Sequence, residues 1–171
     1  MHSRVMMRNA LLGVAALLVG ACDSGVRAAK DGPMSPAVAT AVEDSVRTML
    51  DDFRRLGAAA KWDSLAQLYD DAPTFSWIES GKVVARSRAD IRQGLGKIQA
   101  GMALETTFDS LEVHALAPRV VSVQTMSRTR FVQRATGQEA FAFGVAMTLV
   151  VVRRPEGWRI RQGHASGGRG S

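Results

Sequence analysis

From Leu104 onward the apolar residues of this chain change period, and that change limits the architectures open to it. Before it, apart from one short hairpin, they recur every three or four residues, the spacing of a helix face. After it they alternate, the spacing of a strand with one covered side. The alternating half predicts a first strand near residues 106–116 and then three long ones over 120–133, 139–152 and 158–166. Thr136-Gly137 and Pro155-Glu156-Gly157 supply the turn residues between the long strands. Helices first and a meandering antiparallel sheet afterwards give an α+β domain.

In the helical half, Ser35-Pro36 reads as an N-cap followed by proline in the first turn, where its missing N–H costs nothing. Val38, Val42, Val46, Met49, Leu50, Phe53 and Leu56 then form one apolar face that stops near Gly57. Trp62, Leu65, Leu68 and Tyr69 predict a second, short helix with Asp63 near its positive end, and Pro73 follows it. Residues 75–79 alternate as a strand, Ser80-Gly81 turns, and residues 82–86 return. Ser87-Arg88-Ala89-Asp90 is a capping-box pattern, with Ile91, Leu95, Ile98 and Met102 as the buried face of the helix it starts.

Ahead of this domain, Arg4 and Arg8 precede an apolar stretch over residues 10–19, and Gly20-Ala21 come before Cys22, the one cysteine of the chain. The apolar run is about half the ~20 residues needed to cross a bilayer, so a cleaved signal peptide fits better than a membrane span. The arrangement resembles the lipobox of bacterial lipoproteins. That resemblance implies acylation of Cys22, a membrane partner through its lipid, and a place in the bacterial cell envelope on the periplasmic or extracellular side. Secretory cleavage after Ala21 without lipid is the alternative. The expected organisation is a signal peptide at 1–21, the acylated cysteine and a flexible tether at 22–35, one domain at 36–166 and a disordered tail at 167–171.

The formal charge of +6 falls to +4 when Arg4 and Arg8 leave with the first segment. Basic residues form no dense run and have no interleaved aromatics, so no nucleic-acid partner is expected. Two dispersed histidines in the domain, His114 and His164, offer poor metal-ligand spacing, and there is no glycine-rich phosphate loop or nucleophilic serine elbow. Neither a metal nor a cofactor is expected.

The order helix, helix, short hairpin, helix and long sheet resembles the nuclear transport factor 2-like superfamily over about residues 37–166. Its carriers are Trp62-Asp63-Ser64-Leu65-Ala66-Gln67-Leu68-Tyr69-Asp70-Asp71 before the first strand and Gly157-Trp158-Arg159-Ile160 opening the last. Within that superfamily the ending His164-Ala165-Ser166 is similar to the SnoaL-like proteins. The resemblance implies a cone-shaped, curved antiparallel sheet wrapped around three N-terminal helices, a cystatin-like roll with an apolar pocket at its open end. Ketosteroid isomerase shares the superfamily and uses an aspartate base with a tyrosine and a protonated aspartic acid. Laid over this chain, those positions fall on Phe53, Trp77 and about Leu149, none of which can move a proton from carbon.

Alternation along the fifth strand puts Phe141, Phe143, Val145, Met147 and Leu149 on one side and Ala140, Ala142, Gly144, Ala146 and Thr148 on the other. The bulky side suits the interior and the small side suits close approach of a second copy, a homodimer through the sheet. Phe53, Trp62, Tyr69, Phe75, Trp77, Phe141, Phe143, Met147 and His164 are the candidate ligand-binding residues, with Trp158 sharing the interior as core. His164 has the strand parity of Trp158 and Ile160, which predicts an inward side chain that Glu79 could meet as an acid–base pair. The expectation is therefore a lipid-anchored protein binding a small apolar ligand without catalysis. The alternatives are an isomerase, dehydratase or hydrolase using His164 and Glu79, or a dimerising envelope assembly module.

Overall fold

The computed structural model describes residues 34–167. The expected signal peptide, Cys22, most of the tether and residues 168–171 lie outside the described residues. The elements in chain order are α1 (Pro36–Ala58), α2 (Trp62–Ala66), β1 (Ser76–Glu79), β2 (Lys82–Ala85), α3 (Arg88–Gly96), β3 (Met102–Ala117), β4 (Val120–Gln133), β5 (Glu139–Arg154) and β6 (Gly157–Ser166).

The helix starts follow their caps. Ser35 accepts from the Val38 N–H at 3.4 Å, and Ser87 accepts from the Asp90 N–H at 3.1 Å while the Asp90 carboxylate accepts from the Arg86 N–H at 2.8 Å. Gly57 has a packing role where helix α1 ends against β3: a Cβ there would lie 2.8 Å from the Leu104 carbonyl oxygen. Two expectations need correction. Helix α2 stops at Ala66, short of Tyr69, because residues 68–70 run beside β6: the Ile160 N–H donates to Leu68 O and the Asp70 N–H to Ile160 O, both at 2.8 Å. Met102 opens β3 and does not extend α3, which buries none of its residues.

The six strands form one sheet in the order β2-β1-β6-β5-β4-β3. The pairs along β3 to β6 are antiparallel, as is β1 with β2, but β1 pairs with β6 in parallel, with Trp77 opposite Gly163. The alternation of the long strands is interrupted by register shifts between Phe108 and Ser110, Phe131 and Val132, and Val150 and Val151. Each is an extra residue that bends and twists the sheet, which is how strands this long curl over a core. In β6 the extra residue is Arg161: Val151 faces Ile160 and Val150 faces Gln162.

The core lies between the concave face and α1. Val46, Leu50, Phe75, Val121, Val123, Val151 and Ile160 are essentially inaccessible. Burying each side chain of this size favours folding by about 1.5–3 kcal/mol. Trp158 crosses to α1 and donates its indole N–H to Ser45 Oγ at 2.7 Å. All these groups belong to the domain itself, so residues 34–167 carry a complete core of their own.

Candidate functional site

At the end of the sheet where β3 and β5 begin and β4 and β6 finish, the core gives way to a cavity of about 630 Å³. Its floor is the inner face of the sheet, with Leu104, Thr106, Thr129, Phe131, Phe143, Val145, Met147 and Ala165. Phe53 of α1 and Tyr69, Trp77 and Glu79 close one side, and Ile91, Leu95 and Ile98 of the α3 segment close the other. The apolar stripe of α3 is half-exposed, not buried, because it faces this space. A volume in the range of small-molecule sites, mostly apolar walls and a few convergent polar groups make this the candidate binding site.

Tyr69, Glu79, Ser80, Asp90, Thr106 and Thr129 bring polar groups to its lining. The Tyr69 ring is buried, while its hydroxyl makes no hydrogen bond among the described residues and is not a fully buried atom, so it is open to the cavity. Burial, and secondarily the Glu79 charge, push that phenol well above its ordinary value, so it stays a neutral donor. Glu79 is held by the Trp77 indole, whose N–H donates to Oε1 at 2.7 Å. Thr106 and Thr129 meet across β3 and β4 with their hydroxyl oxygens 3.4 Å apart. No lysine, arginine or histidine lines the cavity among the described residues; its charged groups are the acids Glu79 and Asp90. The same residues include no cluster of three side chains able to hold a metal.

Tyr69 is positioned by a network that sequence reading missed. Asp70, beside it, is buried and accepts hydrogen bonds from Arg154 Nη2 at 2.6 Å and Arg161 Nη1 at 2.7 Å, with Arg154 Nε at 3.2 Å. Burial opposes ionisation of Asp70 more than any other single influence, but the bonds from Arg154, Arg161 and the Asp71 N–H together outweigh it and hold the carboxyl at about 2. Arg88 adds a bond from Nε to the Tyr69 carbonyl at 2.9 Å. Arg161 is the extra residue of β6, so one bulge both supplies a ligand for Asp70 and reverses the strand's faces.

That reversal corrects the prediction for His164. Past Arg161 the inward residues are Gly163 and Ala165, and His164 is exposed on the outer face, opposite Thr148 and Ile78. The Glu79–His164 pair is not formed. Of the other predicted residues, Phe53, Tyr69, Trp77, Phe143 and Met147 line the cavity with Glu79. Phe75 is core, with its ring edge-on to Tyr69 at 6.2 Å. Trp62 is half-buried outside the cavity. Phe141 is 52% exposed and stacks on Phe131 at 4.4 Å, next to a second, shallower depression. Ala140 is the extra residue of the register shift at Phe131 and Val132 and lines the same depression as Phe141, which breaks the expected alternation there; farther along β5, Gly144 and Thr148 are exposed.

The family profile for the SnoaL-like domain matches residues 46–168. Among curated proteins nothing matches. Among solved structures, a nuclear transport factor 2-like superfamily protein from Salmonella enterica superposes with a TM-score of 0.62 at 19% identity, over 77% of this chain and 94% of that one. A candidate dehydratase of the nuclear transport factor 2-like family from Streptomyces avermitilis gives 0.63 at 17% identity, over 77% and 99%. A nuclear transport factor 2-like protein with a cystatin-like fold from Novosphingobium aromaticivorans gives 0.58 at 16%, over 77% and 85%. At these identities the likeness concerns the fold.

Proposed function

The chain belongs to the SnoaL-like domain family; we propose that its cavity binds one small, mainly apolar, uncharged molecule and, from the residues around Cys22, that it is a lipid-anchored envelope protein. The observation that carries the reading is the composition of the cavity wall. Aliphatic and aromatic groups surround the Tyr69 hydroxyl, which makes no hydrogen bond among the described residues, and the charged groups are acids. A carboxylate or phosphate would meet Glu79 and Asp90 with nothing cationic to offset them, so anions are excluded. A ketone, ester or hydroxyl oxygen would accept from Tyr69, while the rest of the molecule covers Phe53, Phe143 and Met147. Native mass spectrometry of the protein purified from its own envelope should find a neutral hydrophobic adduct. A protein that carries none and takes up none from an envelope lipid extract would overturn the reading.

The anchor rests on Cys22 and its flanking residues. Cys22→Ser should abolish incorporation of a fatty-acid analogue and leave the signal peptide attached. Unlabelled wild-type protein would remove the anchor and leave the cavity reading untouched.

A second reading is favoured by one observation: Glu79 and the free Tyr69 hydroxyl border the same cavity. In it the carboxylate takes a proton from a carbon acid whose carbonyl Tyr69 polarises, as an isomerase or dehydratase requires. Deuterium exchange into a bound ketone that is lost in Glu79→Gln would support it. The small, uncharged outer face of β5 is offered as the surface for a second copy, with sedimentation velocity as its test.

A further inference from the structure

The cavity occupies one end of the sheet, and the opposite end has a different chemistry. There the β3–β4 turn, the β5–β6 turn and the first turns of α1 come together. Glu43 accepts from the Ala115 N–H at 3.1 Å and Ser45 from the Trp158 indole, which puts the N-terminal half of α1 beside the last residues of β3 and the first of β6. The turns hold each other through Arg153 N–H to Arg119 O at 2.9 Å and Arg119 Nη2 to Arg153 O at 3.2 Å.

This end exposes apolar and cationic groups together. Leu116, the extra residue of a register shift near the end of β3, is 65% exposed, Val38 on the first turn of α1 is 45% exposed, and Pro118 and Pro155 in the two turns are exposed. Arg119 and Arg153 are exposed, and Arg159 is half-buried. None of the three guanidinium groups is within ion-pair reach of a carboxylate among the described residues. They rest on carbonyl oxygens and, for Arg153, on the Trp158 ring at 5.5 Å. Glu156 is the one acid of the two turns, while Glu43 and Asp44 on α1 are engaged by Arg47. Arg154 is neutralised by Asp70.

We propose that this end of the domain docks on an anionic phospholipid surface, with Arg119, Arg153 and Arg159 facing the headgroups and Leu116 entering among them. Unpaired guanidiniums around a projecting leucine match such a surface in charge and in polarity. The described residues also begin at this end, at Met34. The docking does not depend on acylation, although the proposed anchor would concentrate it. Its consequence is an orientation: the cavity, at the far end of every long strand, faces away from the bilayer and exchanges its ligand with the aqueous side.

The test uses residues 34–171, which hold the whole core and lack Cys22, in co-sedimentation with vesicles of phosphatidylcholine with or without phosphatidylglycerol. Binding is expected to the anionic vesicles alone and to weaken as salt is raised. Arg119→Gln with Arg153→Gln should lower partitioning by about fivefold per charge, and Leu116→Ser should lower it further. Arg128→Gln with Arg134→Gln, exposed elsewhere on the sheet, should leave it unchanged. Equal binding to both vesicle types, no binding to either, or an equal loss in the Arg128/Arg134 pair would overturn the proposal. Thermal melting of each variant checks that it is folded. Labelling of Cys22 in the full chain tests the anchor separately, so the two failures are distinguishable.

Discussion

The indole of Trp77 fills the space that a side chain at residue 163 would need. The two residues are partners in the parallel pairing of β1 with β6, and a Cβ on Gly163 would overlap ring atoms Cζ3 and Cε3 and lie 3.0 Å from Cη2. Glycine here lets the ring lie against the strand, from which its N–H reaches Glu79 at the cavity edge. Gly163→Ala should therefore push Trp77 off its seat at a cost of about 1–3 kcal/mol. Calorimetry should show a lower melting temperature, and the ligand should bind more weakly. An unchanged melting temperature would mean that the ring is not held there.

Tyr69→Phe separates binding from stability. The hydroxyl makes no hydrogen bond among the described residues, so its removal should leave the melting temperature where it was. A ligand whose oxygen accepts from Tyr69 should lose about 1 kcal/mol, roughly fivefold in Kd, by titration calorimetry. An equal Kd for both proteins would place the ligand oxygen elsewhere.

Asp70 predicts an acid-labile fold. Its carboxyl is held at about 2 in the folded protein against an ordinary value of 3.8, so the ionised form favours folding above about pH 4 and its contribution is lost as pH falls through about 2. The contribution is about 2 kcal/mol. Asp70→Asn should be less stable at neutral pH, because two partly buried guanidiniums lose their partner. Its denaturation midpoint should then change less than the wild type's between about pH 4 and pH 2. Parallel pH curves for the two proteins would remove Asp70 as the cause.

His164→Ala should alter neither ligand affinity nor any exchange chemistry, because the side chain projects from the outer face of β6. Loss of binding in this variant, with unchanged melting, would restore the inward histidine that strict alternation predicts.

The contrast between those last two residues shows what the sequence made legible. Serine and proline at helix starts, and alternation along 120–133 and 139–152, report on groups within a few residues of one another, and those elements stand where expected. Phe53, Trp77, Phe143 and Met147 were readable as interior by the same local logic. A bulge is not local in that way: Arg161 is accommodated because β6 pairs with β5 on one side and with residues 68–70 on the other. Asp70 and its partners are 84 and 91 residues apart, and no pattern in the sequence joins them. Tyr69 could be named as aromatic interior, but that its hydroxyl is free follows only from the packing around it.

The central claim is that the cavity is a working binding site for an uncharged apolar molecule. The most direct measurement is a fluorescence titration with the neutral probe N-phenyl-1-naphthylamine, on the wild type and on Val145→Trp, which fills the floor between Phe143 and Met147. The account predicts saturable binding of about one probe per domain, displaced by neutral competitors but not by fatty-acid anions, and abolished in a Val145→Trp protein that still melts cooperatively. Probe binding that persists when the cavity is filled, or no saturable binding to the wild type, would contradict it.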